Sequence, residues 1–258
     1  MGAEGVESVS EDALLDGRVR LRQPVGGYRA AIDPVFLAAA VPAEAGQAVL
    51  DVGCGVGAAA LCLAHRVPGC RVAGLEVQPA LAALARENAA LNGLAGRVDV
   101  LTGNLLTPPP RLAPGSFHHV LTNPPFLAAD HADPPADAGK ALANVEGGAD
   151  LAAWVRFCVN MLRHKGTLTI VHRADRLDEL LILLRGRVGG IVVFPLWPKA
   201  GRAAKRVLLL ARKGVATPLE LRPGLVLHAE DGSYTSAADA ILRHARGLDA
   251  ASPEQFPP

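Results

Sequence analysis

Residues 48–66, AVLDVGCGVGAAALCLAHR, limit the fold more than any other stretch. A five-residue apolar run passes straight into glycine at every second position, Gly53, Gly55 and Gly57, and then into an Ala/Leu-rich helix. Glycine adopts backbone angles that other residues avoid, so the chain can turn sharply here and let a ligand approach the backbone. A short strand without polar alternation is covered on both faces, which is the condition of a strand in a parallel sheet. The rest of the chain repeats the alternation. RVAGLEV (71–77) reads as a second strand and PALAALARENAALNG as a helix closed by Asn92-Gly93. RVDVLTG and HHVLTN read as strands three and four. ADLAAWVRFCVNMLRHKG reads as an amphipathic helix running to Lys165-Gly166, followed by the strand TLTIVH and the helix RADRLDELLILLRGR.

The last two strands break the pattern. GGIVVFPL and KRVLLLARK are joined by about ten residues with no helical periodicity, so they pair as an antiparallel hairpin. The expected class is α/β, a seven-stranded, mostly parallel sheet with a terminal antiparallel hairpin, the methyltransferase variation on the doubly wound fold. Residues 1–46 are expected to hold a tail, frayed over 1–11, and a helix capped by Asp33 with Pro34 behind it. Residues 47–216 form the core. Residues 217–258 form an extension with a short strand in LVLHAED, a helix in SAADAILRHARGL and a disordered end, ASPEQFPP.

Composition excludes more than it selects. With half its residues apolar and a net charge of +1, the chain is of the ordinary globular class, and overall charge does not point to a polyanionic partner. No apolar run reaches the ~18 residues of a membrane span. The first residues have no basic segment ahead of an apolar one, so no signal peptide is expected. Cys54, Cys62, Cys70 and Cys158 have no CxxC spacing and read as buried free thiols in a reducing cytoplasm, not metal ligands.

The glycine turn lies where doubly wound folds bind their cofactor. Alone, the pattern also fits a dinucleotide or a tight turn without ligand. Asp51, two residues before the first glycine, would repel a pyrophosphate but suits the ammonium of an amino-acid ligand. Glu76, with Val77 after it, ends strand two, where a carboxylate can accept both hydroxyls of a ribose. Asn104 and Leu105 follow strand three, where an amide and backbone can read an adenine edge. Together these describe S-adenosylmethionine.

Strand four ends abruptly in Asn123-Pro124-Pro125-Phe126. Two prolines donate no N–H and fix φ, so no strand continues through them. A plain turn is one reading. The other is a rigid pair of acceptors, the Asn123 side-chain oxygen and the Pro124 carbonyl, for the two hydrogens of a planar amine, with the Phe126 ring stacked on it.

The glycine loop and this tetrapeptide, in this order, resemble the amino-methyltransferases that carry Asn-Pro-Pro-Tyr/Phe and modify adenine, exocyclic guanine amines or a glutamine amide. QPVGGYRAAIDPVFLAAAV, KALANVE (140–146) and PLWPKAGRAAKRVLLLARKG extend the likeness over about residues 12–245, to the bacterial enzymes that methylate the adenine amine of valine tRNA beside the anticodon. The resemblance implies S-adenosylmethionine as donor, tRNA as partner, and a segment before the glycine loop that folds over the donor, with Tyr28, Arg29 and Asp33 as candidates. Glutamine-modifying relatives carry a helical domain ahead of the core, for which this chain has only about 45 residues. Relatives acting on guanine in ribosomal RNA commonly carry a duplicated domain, and a non-catalytic donor-binding module is a further alternative.

Lys199, Arg202, Lys205, Arg206, Arg212 and Lys213 cluster beside Trp197. Phosphate contacts with a stacking ring hold RNA, although lysine and arginine also protect sheet edges. Residues 127–149 read as a lid over the target or as a surface loop. His118 and His119 read as structural.

Overall fold

The computed structural model describes residues 8–26, 29–125 and 149–248. Strands β1 (Val9–Leu14) and β2 (Val19–Pro24) and helix α1 (Asp33–Ala40) come first. The alternation that follows is β3 (Ala48–Val52), α2 (Ala58–Arg66), β4 (Arg71–Glu76), α3 (Pro79–Leu91), β5 (Val98–Thr102) and β6 (Phe117–Thr122). Then come α4 (Leu151–Met161), β7 (Leu162–Arg173), α5 (Leu177–Leu184), β8 (Val188–Lys199) and β9 (Arg206–Lys213). The short strands β10 (Glu220–Leu221) and β11 (Leu225–His228) and helix α6 (Ser236–Leu242) close the described chain.

Nine strands form one sheet in the order β10-β8-β9-β7-β6-β3-β4-β5, with β11 also on β8. Strands β3 to β7 run parallel, and β9 lies antiparallel between β7 and β8. The expected seven strands and terminal hairpin are present, and β10 and β11 extend them at the β8 edge. One face of the sheet packs against α1, α2, α3 and α6 through residues such as Phe36, Leu61 and Ile241. The other packs against α4 and α5 through Leu151, Val155, Leu180 and Leu184. Residues 49–52 of β3 are buried on both sides, which is why that strand carries no polar alternation.

Three local expectations change. Residues 9–11 are not a frayed tail: they belong to β1, which pairs with β2 from Val9↔Pro24 to Leu14↔Val19. In β2, Val19, Leu21 and Gln23 point inward, and Leu15, Asp16 and Gly17 all take positive φ in the connecting turn. The helix after residue 149 stops at Met161, and Leu162 begins β7 by pairing with Phe117; Lys165 takes φ +62°. Helix α1 is preceded by Ile32 and has no side-chain cap, so Asp33 sits inside its first turn instead of capping it.

The β1–β2 hairpin is fastened to α3 by two asparagines one turn apart. Asn88 Oδ1 accepts from the Arg22 N–H at 2.8 Å, and its Nδ2 donates to the carbonyls of Arg22 and Val56 at 3.0 Å each. Asn92 makes the same paired contact with Arg20, accepting at 2.8 Å and donating at 2.7 Å. Each side chain imitates a neighbouring strand for β2. Because Asn88 also holds Val56, the hairpin is tied to the glycine turn.

Candidate functional site

The carboxyl ends of four strands lie level. Val52 pairs with Thr122 on one side and Leu75 on the other, and Glu76 pairs with Thr102. Adjacent strands are ~4.8 Å apart, so the residues following β6, β3, β4 and β5 share one edge roughly 15 Å wide. Asn123, Gly53, Val77 and Gly103 are those residues.

The glycine turn is pinned to β4. The N–H groups of Gly53 and Cys54 both donate to the Leu75 carbonyl, at 2.8 and 3.1 Å. The three glycines, with φ of +71°, +55° and +86°, serve different neighbours. A β-carbon on Gly53 would stand 2.7 Å from Trp154 Cζ2, and one on Gly57 would meet Ala85 at 3.4 Å. At Gly55 it would meet nothing within 4 Å, so this glycine faces open space.

Two carboxylates flank the turn. Asp51 is buried, and its Oδ2 has no hydrogen-bond partner among the described residues. Burial pushes its carboxyl up to about 7; the Ala60 backbone N–H opposes this and the charge of Glu76 adds to it. Glu76 is also buried, and that burial raises its carboxyl, against the pull of the backbone N–H groups around it. Gly55 N–H donates to one Glu76 oxygen and Gln78 N–H to the other, each at 2.9 Å. Each oxygen keeps a lone pair for a further donor. Two buried acids beside an open glycine fit a ligand that carries a positive charge and vicinal hydroxyls, as S-adenosylmethionine does.

After β5 the chain turns tightly. Asn104 Oδ1 accepts from the Leu106 N–H at 2.9 Å, which closes this turn and fixes the amide at the end of β5. A β-carbon on Gly103 would stand 2.5 Å from Pro109 Cγ, which shows how closely the turn folds back. Leu105 is half-buried beside it, and Val77 is 50% exposed after β4.

On the acceptor side, Thr122 is buried, Pro124 is buried, and Asn123 and Pro125 are half-buried. Phe126, Tyr28 and nearly all of the stretch 127–149 lie outside the described residues. Trp154 and Thr122 escaped the sequence reading. Trp154 Nε1–H donates to Thr122 Oγ1 at 2.7 Å, and the Thr122 hydroxyl donates to the Val52 carbonyl at 2.8 Å. A half-buried indole N–H requires an acceptor, which was a legible signal. The acceptor lies 32 residues away in the chain, and nothing local identifies it.

The candidates before the glycine turn have other partners. Arg29 pairs with Asp12 and donates to Ser10 Oγ at 2.9 Å, holding this segment to β1. Asp33 pairs with Arg206 Nε at 2.9 Å, so a residue expected at the donor and one expected at RNA bind each other. Lys199, Arg202 and Lys205 are exposed around the β8–β9 tip, with Lys199 Nζ donating to the Glu230 carbonyl at 3.0 Å. The tip lies at the Asn123 end of the sheet, since Arg206 pairs with Arg173 at the end of β7 and Thr122 pairs with Ile170. Arg212 and Lys213 lie at the opposite end of β9, where Lys213 Nζ donates to the Leu162 carbonyl at 2.7 Å. Trp197 is held by its Nε1–H on the Pro223 carbonyl at 2.8 Å.

His119 lies near the far end of β6, between Thr167 Oγ1 and Gln47 Oε1 at 2.6 Å each, and burial lowers its pKa to about 4. All four cysteines are buried free thiols. Among the described residues, no cluster of three or more potential ligands could hold a metal, and no helix is long and apolar enough to cross a membrane.

The family model described as the methyltransferase small domain matches residues 31–181. A tRNA1(Val) (adenine(37)-N6)-methyltransferase from Aeromonas hydrophila is 30% identical over 206 residues, covering 79% of this chain and 84% of that protein. A release factor glutamine methyltransferase from Deinococcus radiodurans is 40% identical over 106 residues, 41% of this chain and 34% of the other. Among solved structures, a predicted O-methyltransferase from Agrobacterium tumefaciens shares the fold with a TM-score of 0.70 at 24% identity, over 84% of this chain and 97% of that one.

Proposed function

The chain belongs to the methyltransferase small domain family, and on that premise we propose that it moves a methyl group from S-adenosylmethionine to the exocyclic amine of an adenine in tRNA. The observation that carries this reading is the level edge on which Asn123-Pro124 stands beside the glycine turn, with the exposed basic tip at the same end of the sheet. Bound S-adenosylmethionine supplies an electrophilic methyl group on a sulfonium. Asp51 faces the positive charge of the amino-acid end, Glu76 accepts the ribose hydroxyls, and Gly55 lets the ligand close on the backbone. Val77 and Leu105 line the adenosine end. The Asn123 side-chain oxygen and the Pro124 carbonyl accept the two hydrogens of the target amine and draw its lone pair out of conjugation with the ring. Pro124 and Pro125 keep those acceptors fixed, so little reorganisation accompanies the reaction. The nitrogen gains the methyl as the methyl–sulfur bond breaks, leaving a neutral thioether, and it releases one proton to solvent. Phe126 stacks on the base, and Lys199, Arg202 and Lys205 contact phosphates.

Likeness to the Aeromonas enzyme over most of both chains supports the tRNA reading. Glutamine methylation of a protein is the second reading, favoured by the higher identity to the release factor enzyme, which spans a shorter segment. Incubation with labelled donor and, separately, bulk tRNA, ribosomes, DNA and release factor separates them. Label recovered as N6-methyladenosine from digested tRNA is the expected result. Label confined to protein overturns the tRNA reading, and label nowhere leaves a binding module.

A further inference from the structure

We propose that Trp154 is a positioning residue that sets the acceptor tetrapeptide against the donor turn. The inference rests on the reading that Asn123 holds the acceptor amine.

Register between β3 and β6 ends at the pair Val52↔Thr122. Asn123 follows that pair directly, and Pro124 and Pro125 after it have no N–H with which to extend the ladder. Trp154 ties this end of β6 to the donor turn. Its N–H fills the Thr122 hydroxyl, whose single proton is already committed to the Val52 carbonyl. The far edge of the same ring lies so close to Gly53 that no side chain fits there. One indole therefore contacts the residue before Asn123 and the first residue of the donor turn. Thr122 is fully buried, so an unfilled hydroxyl lone pair could not be answered by bulk water. The ring is anchored at the start of α4, where the Asp150 side chain caps the helix by accepting from Ala153 N–H at 2.6 Å. Reaction rates fall steeply when reacting groups are misplaced by an ångström, so such a residue acts on turnover more than on binding.

The test uses the full chain with Trp154→Phe, Thr122→Val, Thr122→Ser and the Trp154→Phe/Thr122→Val pair. Turnover is read on whichever acceptor pool the unaltered protein labels, and affinity for S-adenosylhomocysteine by calorimetry. Removing one hydrogen bond in this relay is expected to lower kcat about tenfold in Trp154→Phe and in Thr122→Val. Cofactor affinity should stay within about twofold, and the double variant should be no slower than either single one. Thr122→Ser, which keeps the hydroxyl, should retain most of the activity. Trp154→Phe with unchanged kcat, multiplying losses in the double variant, or Thr122→Ser as slow as Thr122→Val would each overturn the proposal. Label on a pool other than tRNA refutes the tRNA reading while leaving this comparison intact. If no pool is labelled, emission decides. The chain has two tryptophans, so Trp197→Phe leaves Trp154 as the sole reporter. Its fluorescence should change on saturation with S-adenosylhomocysteine, and an unchanged spectrum overturns the contact with the donor turn.

Discussion

Asp51→Asn should stabilise the protein without donor, increasingly so as pH rises, and weaken its hold on the donor. Burial lifts the Asp51 carboxyl from 3.8 to about 7, so folding favours the protonated acid. The stability this gives is complete below about 3.8 and lost as pH rises through about 7. Asparagine has nearly the shape of the protonated acid and does not titrate. Comparing the two proteins at each pH cancels the titrations they share, including His119 and His172, both held near 4 by burial. Between pH 5 and 8 the carboxyl passes about two units of linked titration at about 1.4 kcal/mol each, so the variant gains roughly 3 kcal/mol on its parent. A chain of this size shifts by roughly 2–4 °C per kcal/mol, which makes the relative gain about 6–12 °C in Tm. Thermal melts at pH 5, 6.5 and 8, without and with S-adenosylmethionine, measure it. Donor should raise the Tm of the parent at pH 8 and that of the variant far less, because the carboxylate proposed to face its positive charge is gone. A Tm gap that does not vary with pH, or equal donor affinity in the two proteins, would refute this account of Asp51.

Asn123→Ala should lose methyl transfer by two or more orders of magnitude with cofactor affinity within about threefold, read by turnover beside calorimetry; full activity would sink the role of the tetrapeptide. Asn88→Ala removes three hydrogen bonds at a fully buried site, worth about 1 kcal/mol each, and regains about 0.6 kcal/mol of helix propensity. The net loss of roughly 2–3 kcal/mol should appear in denaturant unfolding, with faster amide exchange across residues 19–24; unchanged exchange there would argue that the hairpin is held by apolar packing alone. Replacing Lys199, Arg202 and Lys205 together by alanine should raise KM for tRNA about tenfold or more, leave kcat nearly unchanged and reduce the salt dependence of binding by about three phosphate contacts. An unchanged salt slope would move the RNA surface elsewhere.

The core of the fold was readable because its signals are local: apolar runs, the glycine turn, Asn92-Gly93 and two prolines after Asn123 each act within a few residues. What was missed depends on pairings distant in sequence. The β1 strand, VSEDAL, is polar and partly exposed, and it becomes a strand only because Asp16-Gly17 turns the chain onto the alternating VRLRQ and α3 presents Asn88 and Asn92 to the far side. The Asp16-Gly17 pair flanked by alternation was a hairpin signal in the sequence. The docking asparagines were not, since an amide at a helical position reads as solvated until its partner is known. Asp33 illustrates the same limit. Its place before Pro34 suggested a cap, yet Arg206, far along the chain, claims the carboxylate. Asp51 and Glu76 stood out as candidates by position, but the backbone bonds that already occupy Glu76 required the structure.

The two halves of the site differ in how freely they can change. Glu76 and the glycines at 53 and 57 are held by burial or close neighbours, so substitution there disturbs folding. The exposed residues of the hairpin tip, Lys199, Arg202 and Lys205, can change at little cost to the core, because surface substitutions away from special features alter stability by only about 0.5 kcal/mol. Relatives named for tRNA adenine and for release factor glutamine both match this chain. The two named acceptors share a planar nitrogen whose lone pair is delocalised, which is the feature a fixed pair of acceptors at Asn123 and Pro124 can address. The core alone therefore constrains the reaction more tightly than the substrate. Choice of substrate must come from surfaces that meet the rest of the acceptor molecule, and for a phosphate-bearing acceptor the tip at the Asn123 end of the sheet is a described surface with matching charge.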